Sequence, residues 1–185
     1  MATLKEYVDG FSYYESTGLD VQRKFLAHYV DVDTTGESPD WELLGYKVED
    51  ASIEYNWDEE KITDITGVTY SSITKSEPEM SLDGYIVNTK SKFLKTLSSM
   101  TIRNAYEEFG TFTVLTVYSW LTTGSDSNST PLAKKETGCT IKPDSLGGQG
   151  YTRITPTISF SNNAEYGTVT MSSGKPTFTK GTYTD

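Results

Sequence analysis

The 185-residue chain contains one cysteine, Cys139, and one histidine, His28. A single cysteine excludes an internal disulfide and a cysteine-rich zinc site. A Ser-His-Asp or Cys-His centre would have to use His28, which lies in a strand-like segment with no nucleophile elbow near it. We therefore predict no catalytic centre of these types, and we expect Cys139 to be a small, buried apolar side chain.

Motifs for phosphate and metal binding are also missing from the sequence. There is no GxxxxGK[ST] loop, and "LGGQG" lacks the Rossmann spacing and a following helix, so we interpret it as a turn. There is no DxDxDG calcium loop. Carboxylates gather in one stretch, namely Glu54, Asp58, Glu59, Glu60 and Asp64. Neighbouring carboxylates do not by themselves lie on opposite sides of a glycosidic bond, so we predict no enzyme, no metal and no cofactor.

Long apolar runs are absent as well. No run approaches the roughly 20 residues of a membrane helix, and "MATLKEYVDG" has no apolar h-region, so we expect no membrane segment and no secretory signal. The mean hydropathy is −0.48, and the abundance of Tyr and Thr favours strands over helices. The length suits one domain covering residues 1–185.

The net charge of −10 is unevenly distributed along the chain. Residues 1–87 carry 19 acidic and 6 basic side chains, whereas residues 88–185 carry 7 acidic and 10 basic ones. A strong negative field disfavours binding to nucleic-acid phosphates. The acidic half of one copy could attract the basic half of another, or the acidity could simply keep the protein dispersed.

Period-two patterns predict most of the secondary structure. From Ser52 to Asp58 the chain alternates strictly, with Ile53, Tyr55 and Trp57 on one face, which predicts a strand buried on one side. The polar stretch "DEEK" then predicts a turn before a second strand, "ITDITGVTY". Residues 71–83 are polar and suit either a long loop or two edge strands around a bend.

One segment has a clear helical period. "NTKSKFLKTLSSM" places Phe93, Leu94, Leu97 and Met100 on one stripe. Asn88 or Thr89 could cap its start, and the phase of the stripe shifts near Thr101, where we expect a break. "TFTVLTVYSWL" follows, and it is apolar on both faces, as in a central strand buried on both sides.

Strands that do not alternate with helices make a parallel α/β sheet improbable. We therefore predict a mainly β fold, a β-sandwich or barrel with one flanking α-helix. Turn-forming composition predicts an N-terminal arm over about residues 1–18, a long loop over about 71–83 and a short C-terminal tail. Residues 1–18, 71–83 and 122–130 should be mobile in a monomer.

The order of these segments resembles the major tail tube proteins of long-tailed, siphovirus-type bacteriophages. The resemblance covers about residues 20–180 and concerns layout, since no single motif in it is diagnostic. It is carried by "KFLAHYVDVD", "WELLGYKVEDASIEYNWDEEKITDITG", "DGYIV", "KFLKTL", "TFTVLTVYSWL" and the end "KPDSLGGQG…ITPTISFSNNAEYGTVTMSSGKPTF".

The resemblance implies a structural virion protein without catalytic residues or cofactors. Six copies would form a ring whose inner sheets join into one continuous barrel, and stacked rings would form a channel for DNA. Its partners would be other copies of itself, the tape-measure protein, and the tail terminator and distal tail proteins. DNA would pass through without specific binding, and the protein would assemble in the host bacterial cytoplasm and end in the virion tail.

Two groups of residues are candidates for these roles. The acidic face would line the channel and weakly repel DNA, through Glu54, Asn56, Asp58 and Asp64. The candidates for contacts between subunits or rings are Lys90, Lys92, Lys95, Arg103, Ser76, Glu77 and Glu79. Two alternatives stay open: the inner tube of a contractile tail or phage-derived bacteriocin, and a monomeric carbohydrate-binding β-sandwich that uses Trp41, Trp57 and Trp120 as sugar platforms.

Overall fold

The computed structural model describes residues 2–13, 20–33, 38–45, 47–48, 50–124 and 129–184. Strands predominate in these residues, and the helices are α1 (Leu4–Asp9) and α2 (Lys92–Arg103), with 3-10 turns at Arg23–Phe25 and Tyr106–Gly110. The strands are β1 (Ala2–Thr3), β2 (Ser12–Tyr13), β3 (Leu26–Asp31), β4 (Trp41–Leu43), β5 (Ile53–Glu54), β6 (Trp57–Thr63), β7 (Thr69–Ser76), β8 (Glu79–Ser81), β9 (Tyr85–Ile86), β10 (Phe112–Thr122), β11 (Pro131–Gly147), β12 (Arg153–Ser159), β13 (Ala164–Ser172), β14 (Lys175–Lys180) and β15 (Tyr183–Thr184).

The long strand β11 belongs to two antiparallel sheets. Its first half pairs with β10 and β13, which extends the first sheet to the order β4-β3-β10-β11-β13-β14. Its second half, from Thr140 onward, pairs with β12, which in turn pairs with β8 and β9. A register shift between Pro143 and Ser145 marks a bulge in this half. The predicted mainly β fold with a flanking helix is confirmed.

Apolar side chains are buried on both faces of β10, as its sequence predicts. Val114 points into a cluster that both sheets share with α2. Leu115 and Val117 point the other way, into a cluster with Tyr29, Trp41, Ala133 and Val169. The first sheet curls around this second cluster until β14 approaches β4. Trp41, one of the three candidate sugar platforms, is therefore buried in the core.

A glycine allows the curl to close tightly. Gly167 on β13 faces Phe178 of the adjacent β14. A Cβ atom at this position would lie 2.1 Å from the carbonyl oxygen of Thr179 and 2.8 Å from the Phe178 ring. Because backbone atoms cannot move aside as a flexible side chain can, this close approach requires glycine.

Helix α2 buries Phe93, Leu94, Leu97 and Met100, as its period predicts. Its start differs from the prediction, because Ser91 is the N-cap and its Oγ accepts the N–H of Leu94 at 3.0 Å. The break expected near Thr101 falls three residues later, at Asn104. The helix continues to Arg103 and ends where Asn104 adopts a left-handed conformation with φ of 53°.

The two ends of the chain pair with each other. β1 lies parallel to β15, with Ala2 opposite Tyr183, and the rings of Tyr7 on α1 and Tyr183 have centroids 5.3 Å apart. Residues 2–13, expected as an arm, therefore carry secondary structure, and the expected C-terminal tail contains a strand. The rest of that arm, residues 14–18, lies outside the described residues, as does part of the 122–130 loop.

Candidate assembly surface

Strands β6 and β7 form a hairpin that extends from the body of the protein. In the described part of the chain they pair with each other and with no other strand. All residues of β6, and all of β7 except Ser76, are exposed. The exposed fraction is 57% for Ile62, 60% for Tyr70 and 105% for Ile65. The hairpin therefore places apolar side chains in solvent, where packing inside one chain does not explain them.

The cross-strand register defines the two faces of the hairpin. Ile62 lies opposite Tyr70, and Glu60 lies opposite Ser72 on the same face. The other face carries Glu59 opposite Ile73. Each face thus combines an apolar side chain with a carboxylate.

Residues 71–83, which suited either a long loop or two edge strands, lie largely in β7 and β8 and are not a long loop. The predicted turn at "DEEK" is also wrong, because these residues lie inside β6. The observed turn is built by Asp64, whose Oδ1 accepts the N–H groups of Thr66 at 2.8 Å and Val68 at 3.0 Å. Gly67 supplies the left-handed conformation with φ of 83°. The Thr66 hydroxyl and these N–H groups hold the pKa of Asp64 below its usual value.

The root of the hairpin contains a second left-handed residue. Asn56 has φ of 46°, and its Nδ2 donates to the carbonyl oxygen of Glu77 at 3.0 Å. The strand predicted over residues 52–58 is therefore interrupted, since β5 ends at Glu54 and β6 begins at Trp57. Asn tolerates this conformation better than other non-glycine residues, which explains why the break falls there.

The break at Asn56 exposes two aromatic rings. Tyr55 and Trp57 stack with centroids 5.4 Å apart and planes within 10°, and their exposed fractions are 46% and 59%. The prediction that they pack behind the acidic face is therefore wrong. Ile53 does pack against the core. Trp120 is partly buried and lies edge-on to Tyr118.

The candidate channel residues are spread over the hairpin and its root. Glu54 is exposed on β5, opposite Glu79 of β8. Asp58 lies at the start of β6, opposite Lys75, and Asp64 serves the turn. The structure therefore does not gather these carboxylates with Asn56 on one strand face.

Ser76, Glu77 and Glu79, candidates for contacts between rings, hold the hairpin to the body. The Ser76 hydroxyl donates to the carbonyl oxygen of Tyr55 at 2.7 Å. Glu77 forms an ion pair with Lys75. Glu79 accepts a hydrogen bond from the Ser159 hydroxyl at 2.8 Å, which links β8 to β12. These contacts are all within the chain.

The basic candidates lie on or beside α2, and two of them are paired within the chain. Lys92 forms an ion pair with Asp40, and Arg103 binds both carboxylate oxygens of Glu108, at 2.9 and 2.7 Å. Among the described residues, Lys90 and Lys95 have no salt bridge.

A groove of about 580 Å³ runs along the outer side of α2. Its lining includes Val87, Leu94, Lys95, Ser98, Ile102 and Arg103. Ile102 is 77% exposed. The buried stripe of α2 does not predict this groove, but Ile102, an isoleucine outside that stripe, is a signal for it in the sequence.

Buried polar groups lie elsewhere in the fold. The Nδ1 atom of His28 is 3.1 Å from the Thr116 hydroxyl, and burial, helped by Arg23, lowers the pKa of His28 to about 4. Glu136 is paired with Lys134 at 3.0 Å, and its Oε1 has no hydrogen-bond partner among the described residues.

Cys139 is fully buried, as predicted, and burial raises the pKa of its thiol. The described residues contain no group of three or more His, Cys, Asp or Glu side chains placed to hold a metal ion. In the same residues, every helix is too short or too polar to cross a membrane.

Comparisons with known proteins do not identify a family for this chain. No protein-family model matches the chain, and no curated protein matches it. A solved structure described as "Structure of a type six secretion system protein" is weakly similar, with a TM-score of 0.35 and 15% sequence identity. The match covers 82% of this chain and 90% of that one. A similarity of this size does not assign a function, so function is inferred from the chain's own surface.

Proposed function

We propose that this protein is a structural subunit that polymerises through its β6–β7 hairpin. The observation that carries the proposal is the exposure of Ile62, Ile65 and Tyr70 on a hairpin to which no third strand pairs among the described residues. A two-stranded hairpin is at best marginally stable alone in water. Burial against another copy would remove its apolar surface from water, at roughly 25 cal/mol for each Å².

The polymer that we propose is a phage tail tube, in agreement with the family resemblance of the sequence. Rings of six copies would stack into a channel through which DNA passes to the host. We propose the tube of a non-contractile tail, and the inner tube of a contractile tail or of a phage-derived bacteriocin is the alternative. The mainly β fold with a flanking helix supports the proposal.

Partners and location follow as further parts of the same proposal. Besides its own copies, the protein would contact the tape-measure protein along the channel, and the tail terminator and distal tail proteins at the ends. DNA would pass without specific binding, since the chain carries a net charge of −10. The protein would assemble in the host bacterial cytoplasm and would then be located in the virion tail.

A hairpin replacement tests the polymerisation. Wild-type protein is concentrated and examined by sedimentation and negative-stain imaging, beside a variant in which residues 58–75 are replaced by Asn-Gly. The wild type should form tubes, whereas the variant should fold but stay a monomer, lighter than the 20.6 kDa wild-type chain by the 16 residues removed. A wild type that stays monomeric at all concentrations, even with tape-measure protein added, would refute the proposal.

The stacked pair of Tyr55 and Trp57 supports a second candidate function, carbohydrate binding. Two exposed coplanar rings resemble the aromatic platforms on which sugar rings pack. Titration with oligosaccharides while Trp fluorescence is monitored tests this function. A saturable change that is lost in Trp57→Ala and kept in Trp120→Ala would favour the carbohydrate module over the tube.

A further inference from the structure

We propose that the hairpin of one copy docks in the α2 groove of a second copy. The inference rests on the proposed polymerisation and names the surface that receives the hairpin. It combines two observations: a hairpin face with exposed apolar side chains, and a groove along α2 that is lined by apolar and basic side chains.

The donor surface is the hairpin face that carries Glu60, Ile62 and Tyr70. Cross-strand pairing of Ile62 with Tyr70 places both side chains on this face, with Glu60 two residues further along β6. Ile65 and Val68 extend the apolar surface around the turn, and Val68 is 49% exposed. The donor is thus an apolar tip followed by a carboxylate.

The acceptor surface also combines apolar side chains with charged ones, and its charges are positive. Leu94 and Ile102 lie eight residues apart on α2, about two helical turns, and line the groove beside Val87. Leu94 is fully buried, so the accessible apolar surface comes from Ile102, which is 77% exposed, and from partly buried Val87. Lys95 and Arg103 each follow one of the two α2 residues in the chain and also line the groove. Ser98 lies between them and is small, which leaves room for an inserted side chain.

The charges of the two segments are opposite. Residues 57–76 carry four carboxylates and two lysines, whereas residues 87–103 carry four basic side chains and no acidic one. Arg103 is already bound to Glu108, but Lys95 has no salt bridge among the described residues. Glu60 and Lys95 are therefore the pair that docking would bring together. An exposed pair of this kind contributes mainly to register.

The occupant must come from another copy. Within one chain all residues of β6, and those of β7 up to Lys75, are exposed, and Ile102 is 77% exposed, so neither surface covers the other. A second copy offers both surfaces at equal concentration, and repeated donor-to-acceptor contacts generate a ring or a filament.

Charge reversal tests the pairing. Glu60→Lys and Lys95→Glu should each raise the concentration needed for polymerisation about tenfold at low salt, and the double variant should recover most of the loss. Glu59→Lys, on the opposite hairpin face, and Lys142→Glu are matched controls with the same charge changes. Circular dichroism and thermal unfolding check that all variants fold.

Crosslinking between two differently tagged chains gives an independent readout. One chain carries Ile65→Cys and the other Ser98→Cys, and a short bis-maleimide is added after mixing. Docking predicts a heterodimer that joins the two tags, whereas wild-type chains, with buried Cys139, should give none.

The outcomes separate the two proposals. If the wild type polymerises but Glu60→Lys behaves like Glu59→Lys, the double variant is not rescued and no heterodimer forms, then the hairpin docks elsewhere and only this inference is overturned. If the wild type never polymerises, both proposals are overturned.

Discussion

The Oε2 atom of Glu42 accepts a hydrogen bond from the backbone N–H of Phe93 at 3.0 Å. The same oxygen accepts the N–H of Lys92 at 2.9 Å, and the other carboxylate oxygen accepts the Ser91 hydroxyl. A carboxylate on β4 thereby satisfies free N–H groups at the start of α2 and interacts favourably with the helix dipole. This contact fixes the helix, and with it the proposed acceptor groove, on the first sheet.

Replacing Glu42 should loosen this end of the helix. We expect Glu42→Ala to lower the free energy of unfolding by about 1–3 kcal/mol, because charge-assisted hydrogen bonds are lost. Glu42→Gln keeps an acceptor and should lose less. Urea unfolding measures both, with Glu107→Ala as a control at an exposed carboxylate outside the proposed docking surfaces. Equal stability of wild type and Glu42→Ala would show that the contact contributes nothing.

His28 should make the stability depend on pH. Its folded pKa of about 4 lies below its ordinary value of 6.5, so the unfolded chain binds the proton more readily. The stabilisation from keeping His28 neutral is complete above pH 6.5 and is lost as the pH falls through 4. The free energy of unfolding should therefore be about 3 kcal/mol lower at pH 4 than above pH 6.5 from this group.

The comparison with His28→Gln isolates this effect from the titration of carboxylates. The variant should be less stable at pH 7, but its stability should fall less between pH 6.5 and 4 than that of the wild type. Chemical unfolding at several pH values gives the two slopes. Identical slopes would mean that His28 is accessible to protons in the folded state.

Gly167 should not tolerate a side chain. Because a Cβ atom would lie 2.1 Å from the carbonyl oxygen of Thr179, Gly167→Ala should push β14 away and cost about 1–3 kcal/mol. Gly147→Ala is the matched control, since Gly147 has no neighbouring atom within 4 Å of its Cβ position and no positive φ. Thermal unfolding compares the two, and equal melting temperatures would argue against the close contact of β13 and β14.

The proposed lining of the channel by Glu54, Asn56, Asp58 and Asp64 stays a prediction. Carboxylates facing the lumen would repel DNA weakly, whereas lysines would bind its phosphates and release counterions. In phage carrying Glu54→Lys and Asp58→Lys, tails of normal length should release DNA slowly or incompletely, most of all at low salt. Normal release from normal tails, or a map with Glu54 on the outer wall, would remove these residues from the channel.

Local patterns in the sequence determined those elements in which hydrophobicity alone decides which side chains are buried. β10 is apolar on both faces and is buried on both, and the stripe on α2 is buried as its period requires. In these segments side-chain hydrophobicity alone selects the buried face, so a pattern is enough. The same holds for Cys139, a small side chain within β11.

Tertiary structure decided the hairpin and the position of the helix. Alternation over residues 52–58 suggested a buried face for Tyr55 and Trp57, but a left-handed Asn56, held by the Glu77 carbonyl, exposes both rings. The turn falls at Asp64, whose carboxylate accepts the nearby N–H groups of Thr66 and Val68, a local arrangement that the alternation did not indicate. Glu42 binds α2 across 51 residues, and no local pattern encodes a contact between groups so distant in the chain. The periodicity of a sequence predicts which side chains are buried. The contacts of Asn56 and Glu42 depend instead on which distant backbone groups the fold brings within hydrogen-bond distance.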